Sequence, residues 1–318
     1  MYNMCLAKYK KGTKLNLKEY RKSIINNENF TKSNQWMLDY DYDLRDEALK
    51  DFFKNVESKK AKGKKFDIKY KSKHTKTKES ISVLSKKWNK PRNFYSSIFK
   101  PTVLKTSEIL PRDLKYTSRL VHTETNKYFF CIPKPMEMQS ENQAHKSIFI
   151  DPGQVDFITG YDPSGSILVW GENDSVKIAR LLHYRRRLHS KMSRETNKQK
   201  KKRLKLAWLR AYSRIDNLVK DMHKKLALWL CQNYKRIYIP RLNFHTMKNL
   251  NKRSKQVLAS LQNCEFLNRL IFKSREFPGC EVIEVNEAFT SKTCGSCGNL
   301  KDDLGRNRTY ECNKCSIQ

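Results

Sequence analysis

The sequence predicts an α/β fold, preceded by a helical and then a β-rich N-terminal region and followed by a small module held by four cysteines. Three observations carry this. Short apolar runs bounded by turn residues alternate with long helical patterns over residues 147–287. A seam of large residues (Trp208, Tyr212, Ile215, Val219, Met222, Leu226, Trp229) advances in alternating steps of four and three. Two C-x-x-C pairs stand at Cys294/Cys297 and Cys312/Cys315.

Residues 1–75 read as helical and polar. Lys18 to Ile25 and Leu44 to Val56 show helical spacing, the second through Leu44, Ala48, Phe52 and Val56. A basic run at 59–65 then reads as a solvated or phosphate-facing segment. Residues 76–146 are β-rich, with apolar runs at Ser80–Leu84 and Tyr128–Pro133, and 136–146 reads as a linker. From Ser147 the pattern sharpens. Ser147-Ile148-Phe149-Ile150-Asp151 is a buried strand ending in an acid, and Pro152-Gly153 turns the chain. Phe157–Tyr161 and Ile167–Trp170 flank the turn signal Asp162-Pro163-Ser164-Gly165 and form a hairpin. Residues 175–233 are helical, an antiparallel hairpin whose basic tip is Lys198-Gln199-Lys200-Lys201-Lys202-Arg203. That tip, carrying Lys200, Lys201, Lys202 and Arg203, reads as a nucleic-acid contact, with solvent exposure or a nuclear-import signal as alternatives. A strand at 236–240, a helix at 255–275 and a strand at 281–287 complete an α/β layer with the acid of its first strand at a central position.

The chain has 318 residues, room for two or three domains, and 38% of them are hydrophobic. Lys and Arg total 66 against 32 Asp and Glu, a net charge of +34. Charge on that scale opposes compaction unless a polyanion compensates it, and small soluble domains seldom need more than about 2–8 units. Nucleic acid is the partner this predicts, because lysines and arginines displace condensed counterions from phosphates. A membrane partner is not expected: no stretch is apolar enough to span a bilayer, and neither a secretory signal nor a lipidation motif is present. The expected location is intracellular, in cytoplasm or nucleus. Five of the nine cysteines (Cys5, Cys131, Cys231, Cys264, Cys280) are scattered, and in a reducing compartment they are expected to be small buried hydrophobes.

The other four form two knuckles with fourteen residues between the inner pair. Thiolates two residues apart on a tight turn span one edge of a tetrahedron around Zn2+, and two such pairs close the site. Four thiolates leave no open position, so the expected zinc is structural. Gly295 and Gly298 are expected to supply the backbone freedom of the knuckle. The ribbon presents Lys292, Arg306 and Arg308 to nucleic acid, or serves as a structural staple.

Ile150-Asp151-Pro152-Gly153, Phe157-Ile158-Thr159-Gly160-Tyr161-Asp162 and Thr290-Ser291-Lys292-Thr293-Cys294-Gly295-Ser296-Cys297-Gly298 together resemble the TnpB/OrfB family of transposon-encoded proteins. Its eukaryotic and viral branch is called Fanzor. The likeness runs from about Leu44 to the end. It implies an RNA-guided DNA endonuclease with an RNase H-like (RuvC-type) nuclease domain at 147–287 and a target-nucleic-acid-binding zinc ribbon at 288–318. It further implies a helical recognition-like region at 1–75 and a wedge-like, oligonucleotide-binding barrel at 76–146. The implied partners are DNA and a guide RNA, and the implied catalytic cofactor is Mg2+. Two-metal hydrolysis of a phosphodiester needs several converging carboxylates. Asp151 matches the family's first.

The second acid often ends the strand that here reads Ile237-Tyr238-Ile239-Pro240, and Pro240 occupies its place. In the Fanzor-like branch it moves to the strand before the ribbon, where this sequence has Glu287, with Glu284 as a fallback on the opposite face. The third acid falls on a helix after the last ribbon cysteine. The sequence given ends at Gln318 without a match, and the family's first barrel strand lacks a counterpart before Lys18. A truncated chain is the resulting expectation, either part of a nuclease or a catalytically dead nucleic-acid binder left by a transposon. A transposase acting in its own right ranks last.

Overall fold

The computed structural model describes residues 1–12, 16–26, 30–61, 63, 67–72, 78–89, 93–95, 105–140, 145–242, 251–286, 290–301 and 310–316. The chain divides into two compact units, Met1–Pro135 and Met136–Gln318. Among the described residues no helix is long and apolar enough to cross a membrane.

The first unit begins with α1 (Tyr2–Lys10) and α2 (Leu17–Tyr20), which runs on as a π-helical turn, Arg21–Ile25. α3 (Tyr42–Lys60) follows. Asn16 and Glu19 cap α2 reciprocally, each side chain accepting from the other's backbone N–H. Leu49, Phe52 and Val56 of α3 meet Cys5, Leu6, Tyr20, Ile24 and Ile25 in one core. At its margin Arg21 grips Asp46 through two bonds of 2.7 and 2.9 Å, and Lys50 adds a third contact at 3.0 Å. Burial alone would raise the Asp46 pKa; the two cations reverse that and lower it. The strands are β1 (Glu79–Val83), β2 (Trp88–Asn89), β3 (Asn93–Phe94), β4 (Ser118–His122) and β5 (Tyr128–Cys131). β1, β4 and β5 make an antiparallel sheet, and β2 pairs with β3. Val83, Trp88, Tyr95 and Leu114 form its core, with Trp88 stacked on Phe130 at 5.4 Å.

The second unit holds β6 (His145–Pro152), β7 (Ile158–Tyr161), β8 (Ile167–Trp170), α4 (Asp174–Arg194), α5 (Lys198–Asn233), β9 (Tyr234–Pro240), α6 (Lys252–Leu261), α7 (Asn263–Ser274) and β10 (Glu281–Val285). The sheet order is β10-β9-β6-β7-β8, with β6 at its centre. β6, β7 and β8 are antiparallel; β9 runs parallel to β6, and β10 parallel to β9. Strand alternation separates two faces. Ile148, Ile150, Ile237 and Ile239 share a buried core with Ile215, Val219, Leu226 and Leu230 of α5 and Phe266 and Leu270 of α7. Phe149, Asp151, Tyr161 and Ile167, on the alternate positions, are exposed.

Several expectations change. β6 starts at His145, so the end of the 136–146 stretch is strand. The basic run Lys198–Arg203, read as the hairpin tip, forms the first turns of α5 beside the short break after α4. Asn197 caps that helix, accepting from Gln199 and Lys200 N–H. The helix expected at 255–275 is two helices, broken at Gln262 in the left-handed conformation (φ +53°). The break frees the Leu261 carbonyl inside the protein, and His223 Nε2 lies 2.9 Å from it. Cys131 and Cys264 are exposed, unlike buried Cys5 and Cys231 and part-buried Cys280. Cys131 ends β5, an edge strand of its sheet, and Cys264 lies in the first turn of α7.

His223 is 1% exposed, stacks on Phe157 and meets Phe266 at a tilt. Burial pushes its pKa down to about 4, so the folded ring is neutral and donates to the Leu261 oxygen. The unfolded ring takes its proton near pH ~6.5. Stability is therefore fully present above that pH and falls as pH drops towards about 4, by as much as ~3 kcal/mol. Thermal melts between pH 4 and 7 should show this slope in the wild type and a flatter one in His223→Gln. Equal slopes would rule out the neutral ring.

Candidate functional site

A cavity of about 650 Å3 opens where the C-terminal ends of β6, β9 and β10 converge. Its walls include Phe149, Asp151, Tyr238, Pro240, Val285 and Asn286. Backbone register explains the meeting. Phe149 is opposite Tyr238 across β6 and β9, and Pro240 is opposite Val285 across β9 and β10. Continuing the first pairing by two residues sets Asp151 level with Pro240. Crevices outside the carboxyl ends of parallel strands are the usual ligand sites of open α/β sheets. Phe149 and Tyr238 stack at 4.6 Å with nearly parallel rings, on the same face as Asp151. Sequence reading passed over this pair, although its even spacing from Asp151 and Pro240 was the available signal.

The turn after Asp151 explains its motif. Gly153 donates to the Phe157 carbonyl at 3.1 Å, and a Cβ on Gly153 would lie 2.6 Å from the Asp156 oxygen. Only glycine fits that approach.

Asp151 reaches solvent, and among the described residues its carboxylate has no hydrogen bond and no cationic partner. Partial burial in the cavity raises its pKa above the ordinary carboxylate value. In a chain of net charge +34, an acid left without a cation is suited to accept one from outside. Glu284 is already engaged by Arg241 at 2.9 Å, on the face away from Val285. Glu287, two residues beyond Val285, lies outside the described residues, as do Arg306 and Arg308.

Lys200, Lys201, Lys202 and Arg203 are exposed. Lys200 and Arg203 share a cavity of about 490 Å3 with Lys191, Arg194 and Glu195 at the tip of the α4–α5 hairpin. Lys292 ends the short 3-10 turn Thr290–Lys292 just before Cys294, and its carbonyl accepts from Lys301 N–H at 2.8 Å.

The four cysteines converge. The sulfurs of Cys294, Cys297, Cys312 and Cys315 lie within 4.8 Å of one another, with Cys294–Cys315 at 3.6 Å and Cys297–Cys312 at 3.5 Å. A tetrahedron with metal–sulfur bonds near ~2.3 Å has edges of roughly 3.8 Å, so the quartet fits one ion. The two knuckles share a geometry. Gly298 N–H donates to the Cys294 carbonyl and Ser316 N–H to the Cys312 carbonyl, both at 3.0 Å. The donors are left-handed, with φ of +69° and +53°. Of the two glycines expected to matter, Gly298 is the one whose φ requires it; Gly295 has no positive φ. Backbone N–H groups of Cys297 and Ser296 lower the Cys294 pKa. Those of Cys315 and Lys314 bring Cys312 to about 6.

Residues 264–318, from α7 through the quartet, match the Cas12f1-like, TNB domain family. The TnpB-like proteins L770 and R854 of Acanthamoeba polyphaga mimivirus are each 30% identical over 267 residues, covering 80% of this chain and 49% of theirs. Putative transposase R186 of the same virus is 30% identical over 200 residues, 59% of this chain and 40% of its own. A solved cryo-EM structure, Cas12f1 with sgRNA and target DNA, matches with a TM-score of 0.52 at 14% identity, covering 99% of this chain and 77% of that one. The mixed α/β fold is thus of the Cas12f1 class, a likeness of fold alone. The chain is a member of the TnpB family. It spans about half the length of the curated relatives it matches.

Elemental analysis of the purified chain should find one tightly held divalent ion, absent from Cys312→Ser. A full complement of metal in that variant would exclude the quartet as the site.

Proposed function

We propose that this chain carries the nuclease centre of a transposon-associated, RNA-guided DNA endonuclease of the TnpB/Fanzor type. The observation that carries the reading is Asp151: an acid without a cation, at the C-terminal end of the central strand, in a cavity formed with β9 and β10. The strand order and directions suit an RNase H-like, RuvC-type sheet. Membership of the TnpB family and a fold like that of Cas12f1 support DNA and guide RNA as partners and an intracellular site of action.

Asp151 and Glu287 are the residues that would hold Mg2+. Pro240 cannot ligate; β10 brings Val285 level with it, and in the sequence Glu287 follows two residues later. Mg2+ held there would supply activation of a water and charge stabilisation at the leaving oxygen of a phosphodiester. The reaction adds water across one P–O bond, giving a phosphate monoester and a hydroxyl. Asp151 contributes negative charge whose cost of burial falls when the cation arrives. Phe149 and Tyr238 keep the floor of the cavity apolar. The quartet holds Zn2+ in a structural role, since four thiolates leave no position open. Lys200, Lys201, Lys202, Arg203, Lys292, Arg306 and Arg308 contact nucleic acid. The 1–75 region acts as a recognition-like part and 76–146 as a wedge-like part, with 147–287 the nuclease domain and 288–318 the ribbon.

Metal ligands supply several kcal/mol of transition-state stabilisation, so Asp151→Ala and Glu287→Gln should each lower Mg2+-dependent cleavage by roughly a thousandfold. Glu284→Gln, engaged elsewhere by Arg241, should cleave normally. The assay is single-turnover cleavage of target DNA by the chain with its guide RNA. Unaltered cleavage in Asp151→Ala would overturn the assignment. Binding without cleavage by the wild type in Mg2+ or Mn2+ would leave a nucleic-acid binder.

A further inference from the structure

A second cavity, of about 710 Å3, lies between α4, α6 and the turn that joins β6 to β7. Ala179 and Val257 line it together with Ser175 and Ser254. Its charged and titratable side chains are Arg180, His183 and Arg186 from α4 and Arg253 from α6; no carboxylate lines it. The α4 trio is spaced by threes, which keeps it on one side of that helix. All four are exposed, and among the described residues none has an ion-pair partner. Some cations of the same unit do have one. Lys177 is held by Asp174 at 2.9 Å, Lys220 by Asp216 at 2.6 Å and Lys225 by Asp221 at 2.7 Å.

Three guanidinium groups around one hollow repel each other, and nothing else in the hollow offsets this. The choice of cation is informative too. The chain has 46 lysines and 20 arginines, yet every permanent cation of the cleft is arginine. Arginine presents a rigid fork of donors that matches phosphate oxygens two at a time, whereas lysine is a mobile point charge. Serine hydroxyls beside such forks add neutral donors to the same oxygens.

We propose that this cleft grips the phosphodiester backbone of a nucleic-acid strand. The Asp151 turn borders both hollows: Pro152 lines the cavity at the strand ends, and Gln154 and Val155 line the cleft. A backbone held by the cleft is thereby anchored at the turn that carries Asp151. The grip is sequence-independent, because phosphate contacts position a strand without reading its bases. It needs no metal and no cleavage, so it stands or falls separately from the nuclease reading.

The test is fluorescence anisotropy of the full chain across a salt series, without added Mg2+, on three probes of one sequence: single-stranded DNA, duplex DNA and RNA. Each phosphate contact contributes about 0.7–0.9 to the slope of log affinity against log salt. Arg180→Ala with Arg253→Ala should reduce that slope by about one to two and weaken binding roughly tenfold or more at 0.1 M salt. Lys225→Ala, which removes an ion-paired charge elsewhere, should change neither. The probe that loses most identifies the strand in the cleft. Circular dichroism checks folding, and Arg180→Gln with Arg186→Gln serves if the first pair misfolds. Wild-type slope and affinity on all three probes in a folded variant would overturn the proposal, as would a loss equal to that of Lys225→Ala.

Discussion

Parallel pairing of β9 with β6 brings Phe149 opposite Tyr238, residues 89 apart in sequence. The candidate centre depends on that pairing. A parallel neighbour cannot be reached by a tight turn; it needs a long crossover. Here the crossover contains the β7–β8 hairpin and the α4–α5 pair, and α5 then packs its apolar seam on the sheet it has bridged. β10 adds to β9 in the same direction, so three strand ends point the same way and a hollow forms beyond them. A one-residue slip of β9 would bury Tyr238 and expose Ile239, because strand faces alternate.

Charge shapes the rest. A chain of +34 would be expected to neutralise its acids internally, as it does Asp46 with Arg21 and Lys50. Asp151 departs from that pattern in one direction, and the arginines of the α4–α6 cleft depart in the other. Each is a local imbalance that a ligand of opposite sign would correct: on the proposed readings, a divalent cation at the first and a phosphate backbone at the second. Both sit beside the β6–β7 turn, whose path depends on Gly153 accepting close contact with the Asp156 carbonyl.

Much of this was legible before folding. The knuckle spacing implied the sulfur quartet, because a tight turn between thiols is a local geometry. Asp162-Pro163-Ser164-Gly165 implied the β7–β8 hairpin, and there Asp162 accepts from Ser164 N–H. The 208–229 seam implied a packed helix, and Ile215, Val219, Met222 and Leu226 are buried in it. The break at Gln262 was not legible. Its stabilising partner, His223, lies 38 residues away from Leu261. Exposure of Cys131 and Cys264 was not legible either, since burial depends on neighbours rather than on the thiol itself.

The sequence by itself determined the local features: the four-cysteine module, the acid ending an apolar strand, the helical hairpin and the strongly positive net charge. These depend on short-range periodicity, turn chemistry and net charge, which are written in consecutive residues. Tertiary structure alone decided that Asp151 stands level with Pro240 and Val285 without a cation. It also decided that Arg253 joins three side chains of α4 more than sixty residues earlier. Those meetings are set by strand register and helix packing, which no local stretch of the chain encodes.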